Sequence, residues 1–137
     1  MIEGNDFLKI AKTYFDFLRT EFDFKIFEEK IRGNAFYDLQ YKNNSKILSI
    51  SYENIEDYLQ IVVFLLENGK MPNYDDKTKT LHLNYLNSLV FPNVSDQDID
   101  LNNQYFSVFD TGSILERKLL KSAKDLRLCL KFGNFLN

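Results

Sequence analysis

The segment 35–66, AFYDLQYKNNSKILSISYENIEDYLQIVVFLL, decides the predicted fold. It contains three extended apolar stretches, which two polar turns separate at 43–45 and 53–56. In the first two stretches apolar and polar residues alternate, as they do in strands with one covered face. We therefore expect this segment to form the centre of an antiparallel sheet.

The third stretch, residues 57–66, allows two interpretations. Asn54 and Asp57 could begin a helix, and Asn68-Gly69 could end it. Against a helix, the run IVVF at 61–64 consists of β-branched and aromatic residues that favour strands. Apolar residues on both faces are also typical of a central strand. We predict a strand.

Helices are expected before and after this sheet. Residues 6–20 carry apolar side chains at helical spacing, and Asp6 is the candidate N-cap. Residues 113–116, SILE, form a capping box that begins a helix running to about Phe132, with leucines along one side. Asp23 is expected to be left-handed at the end of the first helix.

The region between the sheet and the last helix is less regular. Residues 78–83 could form a short edge strand, Asn84 could cap a helix over 85–91, and residues 93–103 are expected to form a loop with one helical turn. The sequence thus predicts one α+β domain over 1–137. It would have an N-terminal helix, an antiparallel sheet of four to five strands, and C-terminal helices packed on the sheet.

Composition excludes several classes of protein. The chain has 137 residues, of which 45% are apolar and 27% charged, as in an ordinary soluble globule. The single cysteine, Cys129, cannot form an internal disulfide, and this fits a reducing cytosol. The longest purely apolar run, 61–66, is far shorter than a membrane span, and charges interrupt the first 20 residues. We expect a cytoplasmic protein with no membrane association.

No arrangement of residues typical of catalysis is evident. No serine lies in a nucleophile-elbow pattern, and His82 is the only histidine. Asp75, Asp76 and His82 could together hold Mg or Mn, which would make the protein a small metal-dependent hydrolase. We favour a solvated acidic loop instead. The sequence therefore predicts a protein that is not an enzyme and has no cofactor and no metal.

Charge is distributed unevenly along the chain. Residues 113–137 hold six basic and two acidic groups, a net of +4, whereas the other residues hold 11 basic and 18 acidic groups, a net of −7. The basic helix could bind nucleic acid. We favour a solvated or internally neutralised helix, because the whole chain carries −3 and phosphate contacts dominate affinity for nucleic acid.

The predicted sheet also carries a candidate interaction face. Phe36, Asp38 and Gln40 on one strand, with Ser49 and Ser51 on the next, would form a mixed polar and aromatic surface if that face is open. Alternatively, a helix covers the face and Phe36 belongs to the core. Aromatic residues on an open face would be suitable anchors for a protein partner.

A resemblance to known proteins indicates what kind of partner such an interaction face could bind. A helix, then FDFKIFEEK at 22–30, then GNAFYDLQYKNNSKILSISYEN at 33–54, resembles small α+β bacterial proteins of the toxin-immunity type. The likeness covers roughly residues 6–66. It implies a cytoplasmic, non-catalytic protein that binds and blocks a toxin, with no shared catalytic residues to transfer.

We therefore expect a protein-binding module that engages a basic partner, such as a nuclease toxin. Its contacts would be acidic side chains, because opposite charge steers association. The candidate residues are Asp38, Glu53, Glu56, Asp57, Asp75 and Asp76. The metal-dependent hydrolase and nucleic-acid binding through the C-terminal helix are the alternatives.

Overall fold

The computed structural model describes residues 1–136, and at position 135 the backbone alone. Contacts divide the chain into two compact units, with the division between His82 and Leu83. The first unit contains two helices and a five-stranded sheet, and the second is helical. The predicted α+β class is therefore confirmed.

The sheet of the first unit is a meander in which every neighbouring pair of strands is antiparallel. Its strands follow one another in chain order: β1 Lys25–Arg32, β2 Phe36–Lys42, β3 Lys46–Glu53, β4 Tyr58–Leu65 and β5 Thr80–His82. β4 confirms the strand interpretation of the third apolar stretch, and β5 is the predicted short edge strand.

One face of the sheet forms an apolar core. The register pairs Leu39 with Ile50 and Ile50 with Ile61, so these side chains form a row across three strands, and all are buried. Phe7 of the first helix stacks on Tyr52, with ring centroids 5.6 Å apart. Burial of each such side chain contributes about 1.5–3 kcal/mol. The alternation seen in the sequence is thus the alternation between this core face and the opposite face.

The predicted helix over 6–20 is two helices, α1 Gly4–Tyr14 and α2 Phe17–Glu21. Asp6 is not the N-cap, because α1 begins two residues earlier and Glu3 takes the extended cap conformation. Asp6 lies in the first turn instead, where its negative charge interacts favourably with the positive end of the helix dipole. Asp23 has the predicted positive φ, 62°.

Gly4 allows α1 to approach the sheet closely. A Cβ atom at this position would lie 2.8 Å from Cγ2 of Ile31 on β1. A larger residue at position 4 would therefore require the exposed Ile31 side chain, the start of α1 or the edge strand to shift. Glycine avoids this contact, and its advantage here is one of packing rather than of backbone conformation.

Over its described residues, 83–136, the second unit contains three α-helices, α3 Leu83–Val90, α4 Asp96–Tyr105 and α5 Ile114–Phe132, with 3₁₀ turns at Phe91–Asn93 and Asn134–Leu136. The long predicted helix is confirmed as α5. The Ser113 hydroxyl accepts from the Glu116 N–H at 3.1 Å, while the Glu116 carboxylate accepts from the Gly112 N–H.

Two predictions for this unit were wrong. Asn84 does not cap α3, because the helix begins at Leu83, directly after β5. The segment 93–103, predicted as a loop with one helical turn, instead contains most of the ten-residue helix α4. Ser95 caps that helix by accepting from the Asp98 N–H at 3.1 Å, and its hydroxyl donates to the Asp98 carboxylate at 2.9 Å. This reciprocal cap offsets the weak apolar pattern of the segment.

Candidate partner-binding surface

The connection between β3 and β4 is fixed by one buried side chain. Asn54 Nδ2 lies 2.9 Å from the Ile2 carbonyl, 2.8 Å from the Asn34 carbonyl and 3.0 Å from the Tyr37 hydroxyl. Its backbone N–H also donates to the Ala35 carbonyl at 2.8 Å. The β3–β4 turn is thereby tied to the N-terminus and to the β1–β2 turn, so its backbone is held in place from the inside.

Outside this anchor, the turn presents apolar and acidic side chains together. Ile55 is 72% exposed and Tyr58 is 52% exposed. Glu53 and Glu56 are exposed beside them. Isolated exposed apolar residues are ordinary on a protein surface. Here they lie within six residues of chain, next to two carboxylates.

Asp57 belongs to the same turn but has a structural role. Its backbone is left-handed, with φ 50°, and its carboxylate accepts from the Tyr52 hydroxyl at 2.6 Å. Burial, together with this hydrogen bond, raises the pKa of Tyr52 to about 12. The Asp57 carboxylate therefore fixes the turn against the core face of the sheet.

A second tyrosine extends the surface along β4. Tyr74 is 56% exposed, and its hydroxyl lies 3.3 Å from Nε2 of Gln60. Gln60 and Tyr58 are two residues apart on β4, so they lie on the same face of the sheet. Tyr58 and Tyr74 are therefore presented on one side of β4. We call Glu53, Ile55, Glu56, Tyr58 and Tyr74 together the β3–β4 surface.

Asp75, Asp76 and His82 are the residues that the alternative metal-dependent hydrolase would use. Asp76 accepts from the Thr78 hydroxyl at 2.6 Å and from its N–H at 3.0 Å, and these bonds lower the pKa of Asp76. His82 Nδ1 lies 3.1 Å from Gln60 Nε2. Asp75 is exposed in the loop next to Tyr74. Among residues 1–136, no group of three or more His, Cys, Asp or Glu side chains is arranged to hold a metal ion.

Asp38 is placed differently from the other predicted contact residues. It is buried, and its carboxylate accepts from the Ser49 hydroxyl at 2.7 Å and from Gln40 Nε2 at 2.8 Å. Phe36 and Ser51 are half-buried. The polar side chains of this face thus bond to one another. Asp38 stabilises the β2–β3 pair and is not accessible to a partner.

The basic face of α5 is smaller than the sequence suggests. Arg127 is buried, its Nη1 donates to Asn102 Oδ1 at 2.8 Å, and its guanidinium carbon lies 4.0 Å from the centre of the Tyr105 ring. Lys121 forms an ion pair with Asp125 at 3.1 Å. A buried guanidinium cannot reach a phosphate backbone, so this helix offers fewer contacts to nucleic acid than its composition indicates.

Comparison with known proteins gives no further guide: no family model, curated protein or solved structure matches the chain significantly. No helix within residues 1–136 has both the length and the apolar character needed to cross a membrane.

Sequence reasoning identified the acids of this region but missed its apolar members. Ile55, Tyr58 and Tyr74 each lie within two positions of a predicted acidic contact residue. Their exposure depends on turn and loop geometry that periodicity does not specify. One feature of the sequence could have indicated them. Ile55 and Tyr74 lie in polar turns, where an apolar side chain is not expected to be buried by folding.

Proposed function

We propose that this protein is a non-catalytic, cytoplasmic protein-binding module that neutralises a basic toxin, as bacterial immunity proteins do. The β3–β4 surface carries the contact. The observation that supports this proposal is the rigid presentation of exposed apolar side chains beside carboxylates, on a turn that Asn54 holds from within.

Each component of the surface has a role in binding. Tyr58 and Tyr74 supply large contact areas at small entropic cost, and such aromatic residues commonly dominate interface energies. The fixed turn reduces the ordering cost of association. Glu53 and Glu56 steer a basic partner and increase the association rate more than they set affinity. The acids at 75 and 76 extend the negative field, whereas buried Asp38 is excluded from the contact.

The experiment is recovery of the tagged protein from its source cells at low salt, with wild type compared with the double variant Glu53→Lys/Glu56→Lys. The matched control is Glu21→Lys/Glu67→Lys, which makes the same charge change at two exposed positions outside the surface. We expect a basic protein in stoichiometric amount with wild type and control, and its loss with the double variant.

Two results would contradict the proposal. One is a stoichiometric partner that is acidic, because the β3–β4 surface would repel it. The other is a basic partner retained equally by the double variant and the control. In that case the partner binds elsewhere on the chain.

A further inference from the structure

An open cleft lies at the end of the sheet where β1 begins and where the β2–β3 turn joins its neighbours. Its volume is about 770 Å³, and sites for small ligands usually measure roughly 300–1,000 Å³. Lys25 and Ile26 of β1, Lys42 of β2 and Ser45 of the turn line it. The β3–β4 surface begins at the other end of β3, so the two sites are separate. We call this cleft the β1 cleft.

A β-bulge places an aromatic ring in the β1 cleft. The register between β1 and β2 shifts between Ile26 and Glu28, so Phe27 has no residue opposite it on β2. Phe27 lines the cleft and is 51% exposed. The Lys42 Nζ atom lies 4.9 Å from the centre of its ring, a cation–π contact. Bulges are common beside functional sites, where they redirect a side chain.

Two lysines of this cleft violate the usual pairing rule for strands. Lys25 and Lys42 lie directly opposite each other on β1 and β2, and like charges in such positions repel. Within residues 1–136 neither lysine forms an ion pair, whereas two other lysines of the first unit each pair with a glutamate. Departures from such local rules concentrate at functional sites.

A third ammonium group is buried behind the turn. Lys46 is 8% exposed, and its Nζ donates to the Ser45 hydroxyl at 3.2 Å. It too has no ion pair in the described part of the chain, and burial lowers its pKa. Asn43 Oδ1 fixes the turn by accepting from the N–H groups of Ser45 and Lys46 at 2.9 and 2.8 Å. A buried charge is costly without a counter-ion, so this group favours an anion nearby.

The charge of the β1 cleft matches a phosphate monoester. Of the described residues that line it, Asp23 alone is acidic. Lys25, Lys42 and Lys46 against this one carboxylate leave an excess of two positive charges. A phosphate monoester carries about −1.5 to −2 charges at pH 7, whereas a carboxylate carries one.

We propose that the β1 cleft binds a small phosphate monoester with an aromatic part. Lys25 and Lys42 would donate charge-assisted hydrogen bonds to the phosphate, and Lys46 would add positive charge from behind the turn. The aromatic part would lie against Ile26 and Phe27, because a flat ring gains contact area on an exposed phenyl ring. The bound phosphate would also relieve the repulsion between Lys25 and Lys42. The proposal is independent of the β3–β4 surface.

The probes are adenosine monophosphate and its two fragments, ribose 5-phosphate and adenosine. Binding to the full chain is measured by calorimetry at low salt, because salt screens exposed charges. We expect the monophosphate to bind at least about tenfold more tightly than either fragment, since it alone has both a phosphate and an aromatic ring. No binding of the monophosphate, or equal affinity for it and either fragment, would overturn the proposal.

Two variants locate the binding. Lys25→Gln/Lys42→Gln should weaken the monophosphate at least about tenfold, because both donors to the phosphate are lost. The control Lys9→Gln/Lys70→Gln removes two exposed lysines outside the cleft and should leave affinity unchanged. Phe27→Ser should weaken the monophosphate but not ribose 5-phosphate. Thermal melting verifies that each variant folds. Equal weakening by the first pair and the control, or unchanged affinity in Phe27→Ser, would contradict the proposed site.

Discussion

Substitution of Asn54 by alanine should destabilise the protein through one identifiable set of hydrogen bonds. The Asn54 amide reaches three oxygens, and a hydrogen bond of this kind contributes about 1 kcal/mol net to stability. Asn34 lies in an exposed turn, so water can replace the bond to its carbonyl. The other two bonds, to Ile2 and Tyr37, are part-buried or buried, which gives an expected loss of about 2 kcal/mol.

The assay is equilibrium unfolding in urea, followed by far-ultraviolet circular dichroism. The free energy of unfolding should fall by about 2 kcal/mol with little change in the urea dependence, and the melting temperature should fall by roughly 8 °C. Amide exchange over residues 53–58 should also accelerate, because the turn loses its anchor.

The matched control is Asn44→Ala, at an exposed position in the β2–β3 turn, which should change stability by less than about 0.5 kcal/mol. If Asn54→Ala is as stable as this control, the amide does not hold the turn. The rigid presentation of the β3–β4 surface would then have no physical basis.

Four further outcomes are expected. Burial raises the pKa of the Cys129 thiol to about 12, so a thiol reagent at pH 8 should modify the folded protein far more slowly than the unfolded chain; equal rates would show an accessible thiol. The pKa of Tyr52 lies above its ordinary value of 10, so its stabilising contribution should be complete below pH 10 and lost between pH 10 and 12. Tyr52→Phe should lose less stability over this range than wild type, with the remaining loss due to buried Tyr41, whose pKa is also raised by burial; an unchanged pH profile would contradict the assignment. Added Mn²⁺ or Zn²⁺ should not raise the melting temperature, whereas a concentration-dependent rise would favour the metal-dependent hydrolase. Calorimetry should give one cooperative transition for the predicted single domain, and two transitions would show that the two units unfold separately.

The sheet was predictable because the apolar residues of β2 and β3 have the two-residue period of a strand, although Asp38 and Ser49 on the opposite face are buried as well. Alternation over β2 and β3 gave the core face directly, and the β-branched residues of β4 favoured a strand despite possible helix caps. The start of α1 was not predictable in the same way. Gly4 has poor helix propensity, and the neighbour that its missing Cβ accommodates, Ile31, is distant in the sequence.

α4 shows a second limit of sequence reasoning. Its apolar residues do not mark a buried side, so periodicity gave no helix, and the capping residues Ser95 and Asp98 were the only local signal. The helix is held by Asn102 and Arg127, which are 25 positions apart. Contacts of that kind depend on tertiary structure, so the sequence alone could not indicate them.

The candidate site was predictable in part. Acidic residues in polar turns are expected at the surface, and Glu53 and Glu56 are exposed there. The sequence did not distinguish Asp38 from these exposed acids. Asp38 is buried because Ser49 and Gln40 donate hydrogen bonds to its carboxylate. A carboxylate on the strand face opposite the core can be solvated or bonded within the sheet, and the sequence pattern is the same in both cases.

Amide hydrogen exchange of the chain, alone and in complex with the basic protein recovered from its source cells, shows whether a protein partner binds the β3–β4 surface. We expect increased protection over residues 53–58 and 74–76 in the complex. Protection confined to other segments, with exchange over 53–58 unchanged, would show that the partner binds elsewhere.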